Sequence, residues 1–156
     1  MAIIKVRDYF KKFGLENRIL EFDSSSATVP LAAKALCTQE GRIAKTLSFD
    51  ILGTTSLIVC AGDEKIDNAK FKQEFHTKAT MLSFEKAEEQ IGHSIGGVCP
   101  FAVNEGVAVF LDEGLKRFET VFPAAGSSNS AIELSISELE KFSGFKKWVD
   151  VCKFQN

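Results

Sequence analysis

The stretch Leu57-Ile58-Val59-Cys60-Ala61 decides the fold, because an unbroken apolar run of this length predicts a central β-strand buried on both faces. Gly62-Asp63 follows directly and ends the predicted strand. A thiol inside such a run is expected to be a buried free cysteine. The sequence therefore places this strand at the centre of a sheet, with the other elements arranged around it.

The segment before this strand, Ile43-Ala44-Lys45-Thr46-Leu47-Ser48-Phe49, predicts a second strand that carries one charge. Alternate side chains of a strand share a face, so Lys45 is expected on the same apolar face as Ile43, Leu47 and Phe49. A lysine among core residues breaks the binary pattern, and such breaks tend to occur at functional or strained sites. The other interpretation is that the lysine reaches water over its neighbours or stands at the rim of the sheet. The pattern alone leaves both interpretations open.

Helices and further strands surround these two strands in an irregular order. Thr28 is a suitable N-cap for a helix that carries Pro30 in its first turn. Ser83 is expected to cap another helix, whose apolar side chains Phe84, Ala87 and Ile91 should be buried. The remaining predicted elements are an opening helix ending at Gly14, a short helix over 69–75, a last helix that starts from a capping box at Ser135 and ends near Gly144, and strands at 18–22, 107–111, 119–122, 132–134 and 148–152, of which the last could also be an extended tail.

These elements mix helices and strands without a regular strand–helix–strand rhythm. This order favours an α+β fold with a mixed or partly antiparallel sheet over a doubly wound fold. The 156 residues are a common size for one domain, so residues 1–156 are expected to form a single domain. A domain of this length buries roughly 68–70% of its unfolded surface, and it therefore needs neither a disulfide nor a metal to hold its core.

Composition and charge narrow the classes of function. The net charge is −2, which argues against a protein that coats a long run of phosphates or an anionic membrane. Contact with a single nucleotide end is compatible with this charge. The cysteines at 37, 60, 99 and 152 form no C-x-x-C pair and have no histidine at zinc-ligand spacing. Neither a signal peptide nor a membrane-spanning apolar stretch is recognised, so a cytoplasmic protein without a membrane partner is expected.

Three small or polar loops could contribute to a binding site. The loop from Ile95 to Phe101 contains two glycines and a proline, and it can direct backbone N–H groups towards an anion or a developing oxyanion. The loop from Ala124 to Ser130 could line a pocket with hydroxyls and amides. The loop from Ser24 to Thr28 precedes a helix N-terminus, where free N–H groups bind anions. Taken alone, each loop is more simply explained as a structural turn or a capping loop.

The chain shows no nucleophilic or nucleotide-binding motif. His76 and His93 do not pair with a serine or cysteine at a telling spacing, although a triad assembled in space would leave no such trace. Neither the phosphate-binding loop G-x-x-x-x-G-K-[ST] nor the fingerprint G-x-G-x-x-G is present. The candidate chemistry therefore depends on Lys45 and the three loops.

The order of these motifs resembles the YbaK/ProX family of aminoacyl-tRNA editing domains, which is related to the insertion domain of bacterial prolyl-tRNA synthetase. The resemblance runs from about Val6 to Leu139. It is carried by an ordered set of short motifs, which are Ala44-Lys45-Thr46-Leu47, Gly62-Asp63, Lys70, Gly92, Ile95-Gly96-Gly97-Val98-Cys99-Pro100-Phe101 and Ala125-Gly126. The specificity lies in the order of the set rather than in any one motif.

The resemblance implies a single α+β domain with a mixed, barrel-like sheet flanked by helices. It also implies an aminoacyl-tRNA deacylase that hydrolyses the ester of a mischarged tRNA in trans, with a small amino acid on tRNA(Pro) as the expected substrate. The implied partners are the tRNA acceptor end and prolyl-tRNA synthetase, whereas DNA is not expected. The ester is already activated, so water attack with backbone stabilisation of the oxyanion is enough. No protein nucleophile, metal or other cofactor is expected.

Individual residues receive their roles from this resemblance. Lys45 is expected to hold a terminal phosphate or another substrate oxygen as a compact charge. The residues assigned to catalysis are Lys45, Gly96 and Gly97. The residues assigned to substrate binding are Thr28, Val98, Cys99, Pro100, Gly126, Ser127 and Asn129.

Several positions depart from the family pattern and leave the amino acid open. Ala131 stands where one branch has an aspartate, which weakens any assignment of cysteinyl-tRNA specificity. Asn129 after Ala125-Gly126 is more similar to the free-standing branches that clear small amino acids, and His93 replaces an aromatic residue. These departures keep a second hypothesis open, namely a non-catalytic module that recognises a tRNA end or a synthetase with the same pocket.

Overall fold

The computed structural model describes residues 2–93 and 98–155. Within these residues the chain forms five α-helices and ten β-strands. In chain order they are α1 (Ala2–Lys11), β1 (Ile19–Glu21), α2 (Val29–Leu36), β2 (Ile43–Ile51), β3 (Thr54–Ala61), β4 (Glu64–Ile66), α3 (Asn68–Phe75), α4 (Phe84–Ile91), β5 (Ala108–Asp112), β6 (Thr120–Pro123), β7 (Ser130–Ile132), β8 (Leu134–Ser135), α5 (Ile136–Ser143), β9 (Lys147–Val149) and β10 (Cys152–Phe154).

A curled, half-barrel sheet of six strands in the order β8-β6-β2-β3-β5-β9 forms the centre of the molecule. β3 pairs antiparallel with β2 and parallel with β5, so the sheet is mixed. Two short antiparallel ladders, β1 with β7 and β4 with β10, close its ends. The predicted α+β fold with a mixed, barrel-like sheet flanked by helices is therefore confirmed.

The predicted central strand lies in the middle of this sheet and is buried on both faces. Leu57 and Val59 pack into the main core with α1, α4 and α5, whereas Ile58 and Cys60 pack into a second core with α3. All of these side chains are fully buried, and Cys60 is a free thiol. Successive side chains of a strand point to opposite faces of the sheet, so this one apolar run contributes side chains to both cores.

Three helices begin where the sequence predicts, because a hydroxyl side chain accepts an otherwise unpaired backbone N–H. Thr28 Oγ1 accepts the N–H of Leu31, with Pro30 in the first turn of α2. Ser83 caps α4 in the same way, and Ser135 forms the predicted capping box at the start of α5. Each of these caps marks the residue after which its helix begins.

The structure corrects three expectations about local structure. The prediction that Phe84 is buried is wrong, because α4 buries Ala87 and Ile91 while Phe84, in its first turn, is 74% exposed. The predicted strand at 132–134 divides into β7 and β8, and the segment at 148–152 contributes to both β9 and β10. The short strand β4 was not predicted. Among the described residues, no helix is long and apolar enough to cross a membrane.

Candidate functional site

A cavity of about 310 Å³ lies beside β2, where the central sheet opens. The loop before α2, the segment 81–84, the buried face of α4, and strands β6 and β7 complete its walls. Among the described residues, its apolar lining combines eight larger side chains with six alanines, which are Ala27, Ala32, Ala44, Ala87, Ala124 and Ala131. A concave, largely apolar pocket with few polar groups is the usual form of a small-molecule site.

The cavity forms because part of the edge of β2 has no neighbouring strand. β6 pairs with β2 only at Ile43 and Ala44. Farther along, the N–H of Leu82 donates to the carbonyl of Ser48 at 3.1 Å, so residues 80–82 cover the edge again. Strand alternation then directs the backbone N–H and C=O of Thr46 towards the gap between these two covered stretches.

Thr46 adds an unpartnered hydroxyl to this open edge. Its Oγ1 is buried and has no hydrogen-bond partner among the described residues. Other hydroxyls at the cavity belong to Ser26, Thr28, Ser48 and Ser130. The described residues that line the cavity include no histidine, aspartate or glutamate, so its polar groups can orient a ligand but provide no carboxylate or imidazole base.

Lys45 is the one charged side chain among the described lining residues, and it is half-buried. Lys45 is among the residues that line the cavity, and its Nζ donates to the backbone carbonyl of Glu64 in β4. Gln155 Nε2 donates to the same carbonyl at 3.3 Å. The ammonium is thus held by a backbone carbonyl of the protein. To bind a substrate oxygen, it would have to exchange this carbonyl by rotating its side chain.

The carboxyl group of Glu64 has several charged neighbours, among them Asp112 and Arg117. Burial raises the pKa of the Glu64 carboxyl, and the neighbouring charge of Asp112 raises it further, whereas Arg117 lowers it. One carboxylate oxygen, Oε1, is buried without a hydrogen-bond partner in the described part of the chain. It lies so close to Gly114 that a Cβ on that glycine would be 1.8 Å away. This packing holds β4, and with it the carbonyl that Lys45 uses.

Two of the three predicted loops meet at the cavity. The N–H of Ser26 donates to the carbonyl of Ser128 at 2.7 Å, and the N–H of Phe22 donates to the carbonyl of Asn129 at 2.8 Å. Thr28 lines the cavity while its hydroxyl caps α2. The Ser24–Thr28 loop and the loop after β6 therefore form a single wall, which their sequence separation had concealed.

Three residues that were expected at the pocket support this wall from behind. Ser127 Oγ donates to Ser130 Oγ at 2.7 Å, and Asn129 Nδ2 donates to the carbonyl of Phe22 at 2.9 Å. Gly126 has a φ of +97°, and a Cβ there would lie 2.9 Å from the carbonyl carbon of Ala2. None of these three lines the cavity, and Gly126 is required for the close approach of α1.

The third loop is described only in part, since Gly96 and Gly97 lie outside the described residues. Val98 lines the cavity, whereas Cys99 and Pro100 are buried beside it. Burial raises the pKa of the Cys99 thiol to about 12, so it remains protonated at neutral pH. A neutral buried thiol is a packing group rather than a nucleophile.

His93 anchors this end of the loop, and sequence reasoning did not assign it a role. The Cys99 N–H donates to His93 Nδ1 at 3.2 Å, which places the proton of the neutral ring on Nε2. Burial is the main influence on the pKa of His93 and lowers it, and the charge of Lys5 adds to the lowering. The only signal in the sequence was an isolated histidine six residues before Cys99.

The sequence did not indicate that the carbonyl of Glu64 accepts a hydrogen bond from Lys45, or that Phe84 is exposed at the cavity mouth. Both depend on contacts between distant segments. In residues 2–93 and 98–155, no three histidine, cysteine, aspartate or glutamate side chains converge where they could hold a metal ion. The site thus combines largely apolar walls, an open strand edge, several hydroxyls and one ammonium, which suits an apolar group attached to polar atoms at the mouth.

Comparisons with known proteins identify a matching family model and similar chains. The family model of the aminoacyl-tRNA editing domain matches residues 23–142. The uncharacterised protein YwhH of Bacillus subtilis (strain 168) is 53% identical over 154 residues, which cover 98% of each chain. A proline–tRNA ligase of Halalkalibacterium halodurans is 30% identical over 130 residues, which are 83% of this chain but only 23% of the ligase.

Solved structures show the same fold. The hypothetical protein APE2540 superposes with a TM-score of 0.84 at 28% identity, covering 96% of this chain and 99% of that one. A proposed trans-editing enzyme for prolyl-tRNA synthetase superposes with a TM-score of 0.87 at 24% identity, covering 97% of each chain.

Proposed function

The chain belongs to the aminoacyl-tRNA editing domain family, and from this premise we propose that it hydrolyses the ester of a mischarged tRNA in trans. The observation that carries the proposal is the cavity beside Lys45, whose volume and largely apolar lining suit an aminoacyl group. The expected substrate is a small amino acid on tRNA(Pro), in keeping with the similarity to part of a proline–tRNA ligase.

Water, rather than a protein side chain, is the proposed nucleophile. The described lining residues offer hydroxyls but no histidine or carboxylate to activate them. An aminoacyl ester is already activated, so a positioned water and stabilisation of the tetrahedral oxyanion are sufficient. The oxyanion is assigned to backbone N–H groups of Gly96 and Gly97, and one such donor contributes roughly 2.7–4 kcal/mol to transition-state stabilisation.

Lys45 is proposed to hold the substrate rather than to attack it. Because Lys45 is among the lining residues, its ammonium is proposed to leave the Glu64 carbonyl and to bind a phosphate or ribose oxygen at the mouth. Gln155 continues to donate to the Glu64 carbonyl when the lysine leaves, which lowers the cost of the exchange. The small walls formed by residues such as Ala131 favour an apolar acyl side chain over a charged one.

The test is deacylation of a panel of mischarged tRNAs by the wild type, by Lys45→Met and by the control Lys65→Met. Lys65 is an exposed lysine of β4 that does not line the cavity. We expect the wild type and the control to release a small apolar amino acid at the same rate, and Lys45→Met to be slower. A wild type that deacylates none of the small amino acids would contradict the proposal.

A second candidate function is a binding module that keeps the pocket without catalysis. The observation in its favour is that the Lys45 ammonium is held by the Glu64 carbonyl rather than directed into the cavity. This function predicts saturable binding of the aminoacylated acceptor end without turnover. Turnover that is lost in Lys45→Met would exclude it.

A further inference from the structure

Two large apolar side chains stand unburied at the mouth of the cavity. Phe84 is 74% exposed and Met81 is 59% exposed, and both line the cavity opening. We refer to these two side chains as the cavity rim. A phenylalanine this exposed forgoes most of the stabilisation that burial of its ring would contribute. Paired exposure beside a concave apolar site is typical of a binding surface rather than of an ordinary exposed residue.

The backbone under Phe84 is held in place, so its ring is presented from a fixed base. Phe84 is the first residue of α4, and the hydroxyl of Ser83 accepts the N–H of Lys86 at 3.3 Å. Ala87 and Ile91 anchor the same helix in the main core. A ring on an anchored helix start can act as a flat contact surface at little cost in conformational entropy.

The charges around the rim indicate which part of a substrate it contacts. α4 carries the exposed acidic residues Glu85, Glu88 and Glu89 against a single Lys86. A phosphate beside this helix would be repelled by the excess of negative charge. The rim therefore suits an uncharged, flat group, and a nucleobase has such a face.

This inference rests on the proposed function, because the position of the base follows from the position of the ester. If the acyl group occupies the cavity, the ribose lies at its mouth and the base attached to that ribose lies just outside. We propose that Phe84, with Met81 beside it, is the stacking platform for the terminal nucleobase of the acylated tRNA end. The ring then recovers in the complex the burial that it lacks in the free protein.

The experiment compares two esters that differ only in the base. One is the 2′(3′)-aminoacyl ester of adenosine 5′-monophosphate, and the other is the same ester of base-free ribose 5-phosphate. The acyl group is the one that the wild type removes in the tRNA panel. The variants are Phe84→Ala, Phe84→Trp to restore a stacking face, and Phe154→Ala as the control, because Phe154 is 54% exposed in β10 and does not line the cavity.

We expect Phe84→Ala to lower kcat/KM about 5- to 150-fold on the adenosine ester, the equivalent of ~1–3 kcal/mol for one stacked base. The loss should be less than about twofold on the base-free ester, Phe84→Trp should restore the rate, and Phe154→Ala should match the wild type. An equal loss on both esters, or no loss on either, would overturn the proposal. An effect of Phe84→Ala on co-elution with prolyl-tRNA synthetase alone would identify the rim as a protein contact and would also overturn it.

A binding measurement separates failure of this inference from failure of the proposed function. The probe is the non-hydrolysable 3′-aminoacylamido-3′-deoxyadenosine, and calorimetry gives its Kd. If the wild type binds the probe, and Phe84→Ala weakens its binding by the same 5- to 150-fold while no ester is turned over, the stacking platform stands and the deacylase assignment fails. If esters are hydrolysed and the Kd of the probe does not depend on Phe84, the deacylase assignment stands and the stacking platform fails.

Discussion

Replacing Lys45 by methionine separates the two tasks that the structure suggests for this side chain. Methionine keeps an unbranched, apolar side chain of similar length but removes the ammonium. Two contacts are then lost: the existing hydrogen bond from Nζ to the Glu64 carbonyl, and the proposed contact to a substrate oxygen. The first affects stability and the second affects turnover.

The size of the stability effect follows from the partners of the Glu64 carbonyl. A hydrogen bond with a charged donor contributes roughly 1.5–3 kcal/mol to stability. Gln155 Nε2 still donates to the same carbonyl at 3.3 Å, so the acceptor is not left unpaired. We therefore expect Lys45→Met to lower the free energy of unfolding by about 1–2 kcal/mol, which corresponds to a fall in Tm of about 2–8 °C for a chain of this size.

The effect on turnover should be larger than this loss of stability can explain. A lost charge-assisted contact to the substrate lowers kcat/KM about 10- to 150-fold, the equivalent of ~1.5–3 kcal/mol. The assay is deacylation at 25 °C, where both proteins remain folded, together with thermal unfolding followed by circular dichroism. Gln155→Ala is the matched control, since it removes the other donor to the same carbonyl and should lower Tm without lowering kcat/KM.

Two results would refute this reasoning. An unchanged kcat/KM in Lys45→Met would show that the ammonium has only a structural task. An unchanged Tm would show that its bond to the Glu64 carbonyl contributes nothing to stability, because solvent replaces it without cost.

Three further predictions concern other parts of the chain. The pKa of buried His93 lies below the usual 6.5, so between these two pKa values the unfolded chain binds a proton that the folded protein does not. The free energy of unfolding should therefore fall as the pH drops below 6.5, and it should fall less in His93→Asn. Urea unfolding at pH 5 and pH 7.5 measures this, with His76→Asn as the control because His76 is exposed. Gly126→Ala should lower the free energy of unfolding by more than about 2 kcal/mol, because both the positive φ and the nearby backbone of Ala2 oppose a Cβ. Gly106→Ala is the control and should cost only about 1–2 kcal/mol, since Gly106 has a φ of +90° but open space around it. Equal losses of stability in thermal unfolding would contradict this prediction. The affinity for a mischarged tRNA should fall as the salt concentration rises, and the slope of log K against log salt concentration should correspond to only a few phosphate contacts. A steep slope in a filter-binding titration would exclude recognition confined to the acceptor end.

Much of the secondary structure was predictable because its causes are local. The caps at Thr28, Ser83 and Ser135 each require only a hydroxyl followed by a helical pattern, and all three helices begin there. The central strand was predictable because a continuous apolar run of strand length, followed by a turn signal, is typical of a strand buried on both faces. The division of the last segment into β9 and β10 was not, since each half pairs with a strand distant in sequence.

The candidate site was predictable only in part. The sequence indicated Lys45 and three loops, and the structure brings Lys45, Thr28 and Val98 to one cavity. Ser127, Asn129 and Gly126 support the cavity from behind, and the roles assigned to Gly96 and Gly97 stay predictions. Phe84 was expected in the core because helical spacing shows only which side chains share a face, and not whether a neighbour covers that face at the first turn.

The sequence by itself determined most of the elements, the α+β class, the buried central strand and the isolated charge on β2, because propensity, capping and alternation act over a few residues. Only the tertiary structure decided that β6 leaves β2 after Ala44, that residues 80–82 return to it at Ser48, and that the gap between them is a cavity. It also decided that the Lys45 ammonium is held by the carbonyl of Glu64. These features depend on which distant segments meet, and that is set by the packing of two cores on the faces of a single strand.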